Sequence, residues 1–323
     1  MHTAQPPTTF ASSPPARPLA LPLVGASYPQ VLRTPRHRWW NPVVSWVVAL
    51  LLGGAAVVLP MLFYLGGVFV FGGDDAVAGL DPQMADAPST FVLNLSLALL
   101  IGVALLAVAI GHPVASRFLH SVEGRVRWGW LGRCLMLLLP LWLIYIVSAW
   151  VVDGTRTLGR EDGWIALLLM ALFMTPLQAA GEEYLFRGFV MVSIGAWFRR
   201  PIVGLVISGV VSSAVFAAAH GSGDPWIIVN LVGMSVACVY LTWRTGGLEA
   251  AIAIHVVNNV VVGVFGVLTG TSAESYIDAS TRSTPLEALV GVAVMALATL
   301  ILLRAADRAG ISRTVPPAVG ARP

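Results

Sequence analysis

The chain has 323 residues, of which 57% are hydrophobic and 11% charged, with a mean hydropathy of +0.81. Soluble domains carry roughly 25% charged residues, so this composition excludes an ordinary water-soluble globule and points to a polytopic, all-α membrane protein. The formal net charge is +3 and every one of the 19 Lys/Arg positions is arginine; in such a chain the arginines set orientation, and no nucleic-acid partner is read from them.

Residues 1–38 are rich in Pro, Ala, Ser and Thr and read as a disordered cytoplasmic tail. "LALPLVG" at 19–25 is too short for a signal-peptide core, and "TPRHRWWNP" at 34–42 has the basic and aromatic character of an interfacial anchor. Apolar runs then predict eight spans, at 43–71, 90–111, 131–152, 164–181, 201–220, 226–243, 247–269 and 286–303. Residues 39–160 carry the first three spans, 161–270 the next four and 271–303 the last, before a polar tail at 304–323 that reads as disordered. Loop charge alternates. Arg33, Arg36 and Arg38, then Arg117, Arg125, Arg127 and Arg133, then Arg199 and Arg200, then Arg244, then Arg304, Arg308 and Arg313 fall at alternate span ends, whereas the first intervening loop carries Asp74, Asp75, Asp81 and Asp86. The positive-inside rule places both termini in the cytoplasm of a multi-pass cell-membrane protein. Cys134 and Cys238 both fall in apolar stretches and fit neither a disulfide framework nor a zinc pattern.

Ionisable groups inside spans are costly and are functional candidates by default. They concentrate in residues 164–269. In "AAGEEYLFRGF", Glu183 and Arg187 are four apart and share a helix face, so they pair. Glu182 points away from that face and has no partner three or four positions away, which suits a general base. Phe216 and His220 close the next span, four apart. His255 and Asn259, also four apart, lie inside an apolar span, with Asn258 beside them as a packing polar residue. A glutamate and two imidazoles permit two readings: Glu182, His220 and His255 as ligands of a divalent metal such as zinc, or Glu182 activating water while His255 and Asn259 stabilise an oxyanion. Both describe amide hydrolysis, and both stay open at this level.

These three motifs, in this order on successive spans, resemble the CPBP family (CAAX protease and bacteriocin processing, also called ABI or type II CAAX prenyl endopeptidases). The resemblance covers 160–270 and implies an intramembrane endopeptidase acting on a membrane-associated protein or peptide, with 161–270 as its catalytic core. It implies Glu182 as the base that activates water with help from His220, His255 and Asn259 as the oxyanion pair, and Glu183, Arg187 and Phe216 as supporting residues. The contrasting readings are an ion or solute transporter, and a non-catalytic scaffold or immunity protein keeping the family fold. Depth poses a difficulty. Hydropathy ends the Glu182 span almost at Glu182 and sets His220 about 28 Å along the next span. The motifs meet only if 164–198 is one long or broken helix, or if 201–220 begins outside the hydrocarbon.

Overall fold

The computed structural model describes residues 19–72, 86–154, 158–160 and 162–317. Among them are eight helices long and apolar enough to cross a membrane, and no strand beyond isolated bridges. In chain order these are α1 (Asn41–Phe71), α2 (Ala87–Gly111), α3 (Trp128–Asp153), α4 (Trp164–Gly195), α5 (Pro201–Ala219), α6 (Pro225–Thr245), α7 (Glu249–Thr269) and α8 (Pro285–Ala309). The protein is a multi-pass membrane protein.

The helices begin where local chemistry satisfies their free N–H groups, because hydrocarbon offers no partner. Asp86 accepts from the Ser89 N–H at the start of α2, and Asp224 from the Trp226 and Ile227 N–H groups at the start of α6. Thr284 and Glu287 form a reciprocal capping box at the start of α8. The turn from α6 to α7 passes through Gly246 at φ +65°, where a Cβ would come within 2.5 Å of the Ser312 carbonyl oxygen. Both the left-handed backbone and the close approach require glycine there.

α1 packs on α2, α2 on α4, α3 on α7, and α6 on both α5 and α8, while α4 and α7 lie against each other at the centre. Two apolar cores result, one around α1, α2 and the end of α4, the other around α3, α6, α7 and α8.

Three expectations change. The span expected at 164–181 runs on to Gly195 as 32 residues, with π-helical stretches at Met170–Met174 and Tyr184–Val190. Hydropathy stopped it early because Glu182, Glu183 and Arg187 lower the local average, although all three are buried. The depth difficulty is thereby resolved in favour of one long helix with irregular turns. The N-terminal segment expected to be disordered is, from residue 19 to 38, packed against the helix ends. Tyr28, Val31 and Leu32 are fully buried, the Tyr28 hydroxyl donates to the Leu119 carbonyl, Gln30 donates to the Phe198 carbonyl (2.9 Å) and Arg33 to that of Ala196 (2.8 Å). The C-terminal segment is likewise ordered to residue 317: α8 continues to Ala309, and Val315 is buried with its N–H on the Ala26 carbonyl (2.9 Å). Composition averaged over a Pro-rich stretch hides a few apolar anchors that tertiary contacts recruit. Residues 1–18 and 318–323, and the acidic positions Asp74, Asp75 and Asp81, lie outside the described residues.

Candidate active site at the α4–α7 contact

Glu183 and Arg187 lie on one face of α4 as their spacing predicts. Arg187 Nη1 donates to Glu183 Oε1 at 2.7 Å, and neither side chain has any exposed surface. Arg187 Nη2 donates to the Ser235 hydroxyl of α6 (2.7 Å), which donates to Ser213 of α5 (3.0 Å). The guanidinium also stands over the Phe216 ring, 4.5 Å from its centre. One arginine thus ties α4 to α5 and α6. Glu183 Oε1 accepts a second bond from His255 Nδ1 of α7 at 2.8 Å. Burying two charges is costly, and it is tolerable here because the guanidinium and the imidazole meet the same carboxylate oxygen.

Glu182, one residue earlier, points elsewhere. Its Oε1 accepts from Gln178 Nε2, and Gln178 Oε1 accepts from Asn259 Nδ2 (3.1 Å). Asn259 Oδ1 accepts from Asn258 Nδ2 (3.0 Å), and Asn258 Oδ1 from the Trp142 indole N–H (3.1 Å). Glu182 Oε2 has no hydrogen-bond partner and lies 3.7 Å from His255 Nε2. Glu182 is only 7% exposed. Two rows of polar groups therefore meet at His255, one led by Arg187 and Glu183, the other by Asn259, Gln178 and Glu182.

The sequence motifs converge on one cavity. His255, expected with the oxyanion pair, is the imidazole beside Glu182. His220, expected to assist Glu182, sits at the end of α5 with Nδ1 on the Phe216 carbonyl (2.9 Å) and its ring 4.7 Å from the Phe216 ring. Phe216 separates it from His255, ring centres 5.8 Å apart. Asn259 reaches Glu182 through Gln178, and Glu182 does have a partner at helical spacing, since Gln178 is four residues before it. That i, i+4 relation is present in the sequence, and it overturns the expectation that Glu182 has no partner at that spacing. Asn258 spans two helices as a packing residue should.

Glu182, His220, His255 and Asn259 all line one cavity of about 1000 Å³, with Gln178, Asn258 and Phe216 in the same wall. Its remaining lining is mostly apolar, from Trp46 and Gly53 of α1 through Leu93 and Leu97 of α2 to Val262 of α7. Gly181 lets this wall form, because a Cβ there would fall 2.0 Å from the Leu97 carbonyl oxygen of α2.

The side chains do not fit a three-ligand metal site. Among the described residues no three His, Cys, Asp or Glu side chains gather as a metal-holding group. His255 and His220 are each held through Nδ1, by Glu183 and by the Phe216 carbonyl, which leaves both Nε2 atoms free. Cys134 and Cys238 are buried and free, as expected.

Residues 164–261, from the start of α4 into α7, match the family model described as "Type II CAAX prenyl endopeptidase Rce1-like". This segment is similar to Rce1-like domains. It contains Glu182, His220, His255 and Asn259, and agrees with the family that the three motifs resemble. A curated relative, the uncharacterized protein YyaK of Bacillus subtilis (strain 168), is 29% identical over 104 residues, which are 32% of this chain and 35% of that protein. The chain thus spans about a third of the curated relative it matches. No solved structure matches. At the level of the family, the match supports a CAAX-type intramembrane protease.

Proposed function

We propose that the chain is an intramembrane endopeptidase that hydrolyses a peptide bond of a membrane-associated protein or peptide, using water activated by Glu182. The observation that carries this reading is the buried Glu182 Oε2, which faces a cavity, lacks a protein partner and lies 3.7 Å from His255 Nε2. A buried acceptor without a partner costs free energy, and that cost is offset when water or substrate supplies the missing proton.

The direction of each hydrogen bond completes the argument. With its Nδ1–H held by Glu183, a neutral His255 presents the Nε2 lone pair. A water seated between Glu182 Oε2 and His255 Nε2 donates one proton to each, leaving an oxygen lone pair for attack on a carbonyl carbon. Glu182 takes the proton as the C–O bond forms and returns it to the departing amide nitrogen as the C–N bond breaks. Gln178 and Asn259 fix the carboxylate by its other oxygen. His220, whose Nδ1 is anchored on the Phe216 carbonyl, offers Nε2 to the cavity and in its protonated form donates to the developing oxyanion. Glu183 and Arg187 are positioning residues. Both termini on the cytoplasmic side remain part of this reading.

The test is cleavage of quenched peptides or a membrane-protein fusion by the purified chain in liposomes. Glu182→Gln is expected to lower turnover by about 10²–10⁴-fold, the usual worth of a general base. Full activity in that variant sinks the mechanism. Solute flux through the liposomes without any cleavage would favour a transporter instead.

A further inference from the structure

The two ends of the bundle are built differently. At one end lie the starts of α1, α3, α5 and α7 and the ends of α2, α4, α6 and α8. That end is sealed. The Arg127 backbone N–H and Nε donate to Glu249 Oε1 (both 2.9 Å), and its Nη2 to Oε2 (2.6 Å). Its Nη1 reaches the Thr245 and Ser312 carbonyls (2.9 and 3.3 Å), so one buried side chain joins α3, the α6–α7 turn and the C-terminal segment. The Val122 N–H donates to the Gly246 carbonyl (2.8 Å) and the Leu248 N–H to that of His120 (3.0 Å). Tyr28, Phe118, Leu119 and Leu248, which plug the remaining space, are exposed by no more than 1%. None of these residues lines the cavity.

The cavity runs the other way. Its outer wall is made by the first turns of α2, α6 and α8, the last turn of α5 and the segment joining α7 to α8: Thr90, Ala219, Ile227, Ser275, Arg282 and Glu287. Its floor is the contact of Trp46 with Phe189, ring centres 5.2 Å apart, beneath which the plug begins. The sealed end is also the arginine-rich end. It carries Arg33, Arg117, Arg125, Arg200, Arg244 and Arg304 among others, whereas Arg160 and Arg282 are the described arginines at the open end.

We infer that the active-site cavity opens on the arginine-poor, extracytoplasmic face, and that its substrate is a peptide segment presented from that side, at the outer surface of the membrane. Arginine-rich loops stay in the cytoplasm, so the plug formed by residues 19–38, 112–127 and 310–315 separates Glu182 from the cytoplasm. Segments of exported or membrane-anchored proteins that lie at the outer leaflet meet this opening. Tails displayed in the cytoplasm do not. This deepens the protease reading and rests on it only in calling what enters a substrate.

The experiment is thiol accessibility of the full chain in intact cells, using a membrane-impermeant maleimide. Cys134 and Cys238 are buried and serve as the unlabelled background. Ser283→Cys probes the mouth, Ala219→Cys the wall beside His220, and Arg125→Cys the sealed end, where that side chain is 70% exposed. Denatured samples show that each thiol is present. Ser283→Cys and Ala219→Cys should label in intact cells, and Arg125→Cys only after permeabilisation. The reverse pattern overturns the orientation. An Ala219→Cys that stays unlabelled while Ser283→Cys reacts overturns the opening, as does a Ser283→Cys that never reacts. Labelling needs no turnover. The expected pattern on a chain that cleaves nothing therefore removes the protease reading alone, and a reversed pattern on an active chain removes this inference alone.

Discussion

Replacing Arg187 with methionine separates the two adjacent glutamates by consequence. Arg187 and Glu183 are both fully buried, and the guanidinium meets Glu183 and Ser235 at 2.7 Å each while covering Phe216. Removing the cation leaves a carboxylate in low dielectric with only the His255 N–H, and breaking one side of a buried pair costs about 3–5 kcal/mol. At about 2–4 °C per kcal/mol for a larger domain, Tm should fall by roughly 10 °C. Glu183→Gln combined with Arg187→Met removes both charges and should recover half or more of that loss, since the penalty lies in the orphaned charge rather than in the missing contact. Glu182→Gln is nearly isosteric and removes no ion pair with arginine, so Tm should move by no more than about 2 °C, at most about 1 kcal/mol, while cleavage collapses. The assay is thermal denaturation of purified protein in detergent, followed by the fraction remaining monodisperse, with peptide cleavage measured on the same samples. An unchanged Tm in Arg187→Met, or a Glu182→Gln as unstable as Arg187→Met, would refute the division into a structural and a reactive glutamate.

Three further outcomes are expected. Gly181→Ala places a Cβ 2.0 Å from the Leu97 carbonyl oxygen; prising α2 from α4 should cost about 1–3 kcal/mol, as overpacking does, and should lower cleavage through misplacement of Glu182. Cleavage should survive prolonged chelation, because Glu182, His220 and His255 are not gathered as a ligand set; loss on chelation with recovery on adding zinc would contradict this. Stability should fall on acidification. Burial, and then the neighbouring His37, push His112 down from 6.5 to about 3. The unfolded chain therefore binds the extra proton first, and the stabilisation present above about pH 6.5 is lost as pH drops toward 3. The full difference is at most about 5 kcal/mol at about 1.4 kcal/mol per pH unit. Neither ring nitrogen of His112 has a hydrogen-bond partner, so His112→Leu should flatten the Tm profile between pH 7 and 4.5 without lowering it at pH 7.

The sequence showed most of what depends on local pattern. Eight apolar runs became eight spans, and the Glu183–Arg187 pair followed from helical spacing alone. What stayed hidden depends on contacts distant in the chain. Arg127 and Glu249 stand 122 residues apart, each an ordinary loop-end charge by position, yet they form the buried lock of the sealed end. Tyr28 sits in a Pro-rich stretch whose composition argues for disorder, and only the Leu119 carbonyl, 91 residues away, makes it an anchor. The resemblance pairs Glu182 with His220, and only the contact between α4 and α7 shows that His255 also lies 3.7 Å from it.

The sealed end and the open cavity also bear on why the second glutamate of the motif is the quieter one. Glu182, Glu183 and Glu249 are buried, at 7%, 0% and 2% exposure. Glu249 spends both oxygens on Arg127. Glu183 Oε2 accepts no hydrogen bond, but the residue is fully enclosed, its charge is met by Arg187 and His255, and it does not line the cavity. Glu182 alone of the three combines an oxygen without a partner, a cavity in front of it and an imidazole nitrogen across that space. A protein interior selected only for stability would fill such a gap with a donor or replace the acid, because the unmet acceptor costs about 1–3 kcal/mol or more for a charged group. Gln178 and Asn259 do the opposite: they hold the other oxygen and leave this one aimed at the cavity. An arrangement that fixes a carboxylate while keeping one lone pair available is what proton abstraction from a bound water requires.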